Sequence, residues 1–187
     1  MKISVVVPSI VRTGERRHQL LVRTLSRRST SGFVELGWQR FACALGRTGS
    51  RVRKREGDGA SPIGCWPLRE AFYRPDRMTR PRTGLPLRAL KPNDGWCDDP
   101  RDRNYNRPIE HPYPRSAEHL IRSDGLYDLI VVLGYNDAPR IKSRGSAIFL
   151  HCAHDGNTPT QGCIAVSRRD LSILMRSLRR SQNLRIA

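Results

Sequence analysis

No apolar run in this sequence approaches the ~20 residues that a membrane-spanning helix requires, so no transmembrane segment is expected. The start, Met1-Lys2-Ile3-Ser4-Val5-Val6-Val7-Pro8, opens like a secretion signal without completing one. Pro8 interrupts the apolar stretch, and Arg12, Arg16 and Arg17 follow with no small-residue cleavage site. Paired cysteines are missing as well. Cys43, Cys65, Cys97, Cys152 and Cys163 are odd in number and none stands in a CxxC arrangement, which argues against a disulfide framework and a ribbon-type zinc site. Acidic residues are scarce: 17 Asp and Glu face 34 Lys and Arg, a net charge of +17 dominated by arginine. Such a surface favours polyanions, among them anionic cell-wall polymers. No basic stripe interleaved with aromatics marks a specific nucleic-acid module, and no Gly-Lys-Ser/Thr follows the glycine-rich stretch, as a phosphate cradle requires.

Long helical periodicities are also few, and the hydrophobic fraction is a modest 37% with 15 glycines and 13 prolines to make turns. The fold class read from this is mainly β. At 187 residues the chain suits one domain, read here as a basic, flexible extension over residues 1–31 and a folded domain over 32–187. Residues 3–7 read as an edge strand or a tail. Phe33–Leu36 and Phe41–Leu45 read as a hairpin, and Trp66–Arg69 as a strand. Between them lies the Gly-rich loop Lys54–Gly64, in which two glycines flank Asp58. Residues 74–116 hold most of the prolines and read as a long, ordered, irregular loop packed on the domain, with Tyr105, Asn106 and Arg107 as candidate substrate-lid residues. Asp98 and Asp99 are adjacent and should point apart, which suits capping or pairing with Arg better than joint acid–base work. Ser116–Ile121 reads as a helical turn.

The chemistry concentrates near the C-terminus. Tyr127–Leu133 is a near-continuous apolar run, as a strand buried on both faces requires. A second strand, Ser146–Leu150, delivers His151 at its end, and a third, Cys163–Val166, starts directly after Gly162. Ser167 then caps a helix whose Leu171, Leu174, Met175 and Leu178 share one face, with Arg176, Arg179 and Arg180 in its last turns. A cysteine and a histidine at the edges of neighbouring strands can act as nucleophile and base. Gly162 allows a tight bend and close approach of a substrate. The competing reading is a buried structural cysteine beside a satisfied core histidine. A zinc site from His151, His154 and Cys163 lacks both the helix and the intervening Glu of a metalloprotease. Cys152 should point away from His151 on a strand and be inert.

Ser61-Pro62-Ile63-Gly64, a histidine at a strand end and Thr160-Gln161-Gly162-Cys163-Ile164 resemble the YkuD-type L,D-transpeptidase catalytic domain. Asp94–Asp99, Asn104–Pro108 and Gly145–His151 resemble a short bacterial subgroup of it, and the likeness spans roughly residues 33–180. The resemblance implies a mixed β-sandwich with a C-terminal helix packed on the sheet, and a cysteine acyltransferase of peptidoglycan biosynthesis without a cofactor or metal. By that likeness Cys163 is the nucleophile, and His151 takes the thiol proton and returns one to the leaving amine. The N–H groups of Gly162 and Cys163 line the oxyanion hole. The implied partners are peptidoglycan stem peptides, and the implied location is the periplasm or cell envelope; without a completed signal, cytoplasmic retention stays open. The chain departs from many members in having Gln161 before Gly-Cys and Ala165 two positions after Cys163. Hydrolysis of the same substrate (L,D-carboxypeptidase) and a non-catalytic basic module that binds anionic polymer remain the alternatives.

Overall fold

The structure is a computed structural model and describes residues 19–154, 156 and 158–187. Fourteen strands and one helix are defined among these residues: β1 (Leu20–Thr24), β2 (Ser31–Leu36), β3 (Gln39–Ala44), β4 (Ser50–Arg51), β5 (Ser61–Pro62), β6 (Gly64–Tyr73), β7 (Leu87–Ala89), β8 (Asp94–Cys97), β9 (Arg107–Glu110), β10 (Ala117–His119), β11 (Leu129–Leu133), β12 (Phe149–Cys152), β13 (Ile164–Val166), α1 (Arg168–Met175) and β14 (Asn183–Ile186). The fold is mainly β with a single helix, as the composition implied.

The main sheet runs β11-β12-β13-β3-β2-β1-β14-β6-β7, and β11 also pairs with β6. That last pairing joins the sheet to itself, so eight strands close into a barrel and β7 hangs on the long β6. Closure removes most free edges. β8, β9 and β10 form a separate three-stranded antiparallel sheet.

Period-2 alternation sorts the side chains into two cores. Leu129, Val131 and Leu133 of β11, Leu150 and Cys152 of β12, and Ile164 and Val166 of β13 face a large cluster. Leu171, Leu174, Met175 and Leu178 close over that cluster, all with no exposed surface. Burying each such side chain contributes about 1.5–3 kcal/mol. The alternate residues, Ile130 and Val132 of β11 and Phe149 of β12, face a smaller cluster with Trp96, Leu120, Tyr127 and Cys163. Ser167 caps α1 by accepting from the Asp170 N–H at 3.0 Å.

Several expectations need correction. The extension drawn over residues 1–31 is too long. Leu20–Thr24 is an interior strand of the main sheet between β2 and β14, with Leu20 and Val22 fully buried. Arg, Ser and Thr around it hide an alternation that only pairing with Leu184 and Ile186 rewards. Residues 1–18, including the strand considered over 3–7, lie outside the described residues. Ser116–Ile121 is not a helical turn, because Ala117–His119 pairs with Cys97–Gly95 of β8. The strand leading to His151 begins at Phe149 rather than Ser146, since Ala147 takes a left-handed φ of 51°. The helix ends at Met175, so Arg179 and Arg180 lie beyond it.

Candidate active site

β12 and β13 run parallel with Leu150 opposite Ile164. Parallel neighbours cannot be joined by a tight hairpin, so the segment between them must cross back over the sheet end. The register sets Cys163 beside Phe149, and alternation turns Phe149, His151, Cys163 and Ala165 away from the large core. Cys152 faces that core, its thiol pushed up to about 11 by burial.

The Cys163 sulfur lies between two backbone groups of the segment entering β12. It accepts from the Phe149 N–H at 3.3 Å and donates to the Ala147 carbonyl at 3.1 Å. The left-handed turn at Ala147 that makes this possible is pinned by Asn106, whose Oδ1 accepts the Ala147 N–H at 3.1 Å. On the other side, Thr160 holds the turn carrying Cys163. Its hydroxyl donates to the Cys163 carbonyl at 2.7 Å and accepts the Gly162 N–H at 3.0 Å. Ser61, from the Ser-Pro-x-Gly turn, also donates to the Cys163 carbonyl, at 3.4 Å.

Cys163 and His151 line one cavity of about 490 Å³ and are only 8% and 4% exposed. The His151 Nδ1 sits 2.8 Å from the Cys152 carbonyl. A carbonyl can only accept, so the neutral ring carries its hydrogen on Nδ1 and keeps Nε2 as the basic nitrogen. Tyr127 packs edge-on against this ring at 5.2 Å. Burial pushes the imidazole down to about 4. Burial, reinforced by the Glu118 charge, pushes the Cys163 thiol up to about 12, against the Phe149 N–H and Lys54. At neutral pH the resting pair is therefore thiol and neutral imidazole, not an ion pair.

The cavity has two charged poles. At one, Lys54 is 2% exposed and holds Asp58 at 2.8 Å. Burial works to raise the Asp58 carboxyl, but the Lys54 hydrogen bond and the N–H groups of Arg55 and Ala60 hold it below its usual range. The Gly-rich loop is thus folded around Asp58. At the other pole, burial raises the Glu118 carboxyl, which accepts from the Tyr127 hydroxyl at 2.7 Å and lies 4.0 Å from Arg122. Asp98 borders the same cavity, and its Oδ1 is shut from solvent without a hydrogen-bond partner among the described residues.

The structure brings Cys163, His151 and Gly162 together. It gives Gly162 a different part from the one expected, because its N–H is spent on Thr160 and is not free for an oxyanion. Gly162 is instead required by space: at φ 134°, a Cβ there would stand 2.7 Å from the Ala60 carbonyl oxygen. Tyr105, Asn106 and Arg107 are not a lid. Tyr105 and Asn106 are buried, and Arg107 is exposed on β9. The Tyr105 hydroxyl donates to Glu56 and accepts the Gly145 N–H. Asn106 also accepts from Trp96 Nε1 and donates to the Tyr135 and Asn136 carbonyls. Both act behind the cavity wall rather than over its mouth. Lys54, Glu118 and Asp98 were not singled out as site residues by the sequence; the Lys54–Asp58 spacing inside the Gly-rich loop was the one available signal.

A search of curated proteins and a search of solved structures each found no match. A family model for the L,D-transpeptidase catalytic domain, YkuD, matches residues 20–182, nearly the whole chain. The match spans the strand-end histidine, the Gly-Cys turn and every strand of the main sheet except β14, and the chain belongs to this family.

Proposed function

We propose that this protein is a cysteine-dependent L,D-transpeptidase that forms 3→3 cross-links between peptidoglycan stem peptides. The family is one of peptidoglycan-modifying transferases. The observation that carries the specific reading is the placement of the Cys163 sulfur between the Phe149 N–H and the Ala147 carbonyl, in a cavity shared with His151. Cys163 attacks the carbonyl of the third, diamino-acid residue of a tetrapeptide stem. His151 takes the thiol proton as the C–S bond forms, because burial disfavours the separated ions. It returns that proton to the amine of the departing D-alanine, leaving a thioester. An acceptor amine then attacks the thioester and restores the thiol.

An amine acceptor is favoured over water by the acidic pole. Glu118 and Asp98, which both line the cavity, offer carboxylates to an ammonium entering beside the nucleophile. The net charge of +17 fits work near anionic cell-wall polymers, and the substrate itself lies in the cell envelope. No helix among the described residues is long and apolar enough to cross a membrane.

Purified disaccharide-tetrapeptide incubated with the protein and with a Cys163→Ser variant tests this. Cross-linked dimer from the native protein only is expected. Tripeptide without dimer would assign the carboxypeptidase reaction instead. Equal turnover by both proteins, or none by either with intact binding to anionic polymer, would overturn the enzyme reading.

A further inference from the structure

The Gly162 N–H, one of two backbone donors expected for the oxyanion, is occupied by Thr160 at 3.0 Å. A nucleophile that builds negative charge on a carbonyl oxygen in a buried cavity needs donors there, and a missing one is costly. Lys54 stands where the replacement is needed. A Cβ built on Gly162 would lie 3.2 Å from the Lys54 Nζ, so the ammonium rests against the residue preceding the nucleophile. Lys54 lines the same cavity as Cys163. An ammonium has three hydrogens. Among the described residues two are used, on Asp58 Oδ1 at 2.8 Å and on the Arg55 carbonyl at 3.3 Å, which leaves one to point elsewhere. Of the 34 basic residues only four are lysines, Lys2, Lys54, Lys91 and Lys142. The chain thus departs from its habit of arginine at a buried cationic position in the cavity, where a compact point charge fits better than a planar fork.

We propose that the Lys54 ammonium is a catalytic group that stabilises the oxyanion of the tetrahedral intermediate on Cys163, with Asp58 as its positioning residue. As the sulfur attacks, the carbonyl π pair moves to oxygen and the third N–H of Lys54 donates to it. Lys54 keeps its proton throughout. When the intermediate collapses the carbonyl re-forms, the C–N bond breaks and the amine leaves with the proton held by His151. The Asp58 carboxylate, itself fixed by the Arg55 and Ala60 N–H groups at 2.7 and 3.0 Å, holds the ammonium in place.

This rests on the transpeptidase reading, and the test separates the two. Single-turnover release of D-alanine from disaccharide-tetrapeptide requires an oxyanion; alkylation of Cys163 by iodoacetamide requires the thiol alone. Both rates are measured for the native protein, Lys54→Met, Asp58→Asn and the double variant Lys54→Met/Asp58→Asn, with thermal midpoints for each. D-alanine release by Lys54→Met is expected to fall about 100- to 1000-fold, the loss seen when one oxyanion donor is removed. Alkylation is expected to fall less than about tenfold, through loss of the nearby positive charge alone. The double variant, which removes the buried pair together, is expected to recover the thermal midpoint without recovering release. Equal losses in both rates would make Lys54 a counter-charge to the thiol and overturn the proposal. So would a loss in Asp58→Asn as large as that in Lys54→Met, which would assign the pair to loop folding. Failure of the native protein to release D-alanine while Cys163 still alkylates would overturn the transpeptidase reading and, with it, this one.

Discussion

Acidifying the protein from pH 7 to pH 4 is expected to destabilise it through His151. The ring is buried against Tyr127 and bonded to the Cys152 carbonyl, and burial holds its pKa near 4 against about 6.5 in an unfolded chain. Above pH 6.5 the ring is neutral in both states and costs nothing. Below that the unfolded chain takes up a proton that the folded one refuses until about pH 4. Stability therefore falls with pH across this window. A gap of about 2.5 units corresponds to about 3 kcal/mol, a large part of a domain's usual 5–15 kcal/mol. Urea midpoints at pH 7, 5.5 and 4 for the native protein and for His151→Gln read it out. Other groups titrate here too, including Glu70 and Glu118 with raised pKa values, but they are common to both proteins and cancel in the difference. The native midpoint is expected to drop about 1 M further than that of the variant between pH 7 and pH 4, at an m-value near 3 kcal/mol/M. Parallel pH dependences would refute the claim that burial keeps this imidazole neutral, and with it the account of a neutral resting pair.

Two other outcomes follow from the same geometry. Asn106→Ala removes the partner of the Trp96 Nε1 and Ala147 N–H groups and of two carbonyls; at 1–3 kcal/mol for each buried donor left unpaired it should lower the thermal midpoint by several degrees. Because Ala147 also accepts from the Cys163 thiol, the rate of Cys163 alkylation should change as well. Gly162→Ala forces a Cβ to 2.7 Å from the Ala60 carbonyl oxygen at a φ of 134°, and single-turnover thioester formation should fall by at least tenfold while the circular dichroism spectrum keeps its β character.

The site was readable in the sequence where local pattern decides it. Phe149-Leu150-His151-Cys152 and Cys163-Ile164-Ala165-Val166 alternate, so the faces of His151, Cys152 and Cys163 follow once the strands are granted. Ser167 and the four apolar positions after it specify the capped helix equally locally. What depends on distant pairing was hidden. Leu20–Thr24 is a strand because β2 and β14 flank it, and the short apolar run Leu20-Leu21-Val22, set among Arg, Ser and Thr, does not say so by itself. Glu118 reaches the cavity only because β10 pairs with β8. Tyr105 and Asn106 look like surface residues of a polar loop, yet their side chains turn inward and bond backbone groups 29 to 41 positions away. Gly162 was expected to supply an N–H, and the hydroxyl two positions earlier takes that N–H instead.

The most direct measurement is the intact mass of the protein quenched in acid during turnover of disaccharide-tetrapeptide, followed by peptide mapping. A single adduct equal to the substrate less D-alanine, located on Cys163 and lost on treatment with hydroxylamine, is the expected result. An adduct elsewhere, or D-alanine released with no adduct on Cys163 in native protein and unchanged release from Cys163→Ser, would contradict cysteine acyl transfer at this site.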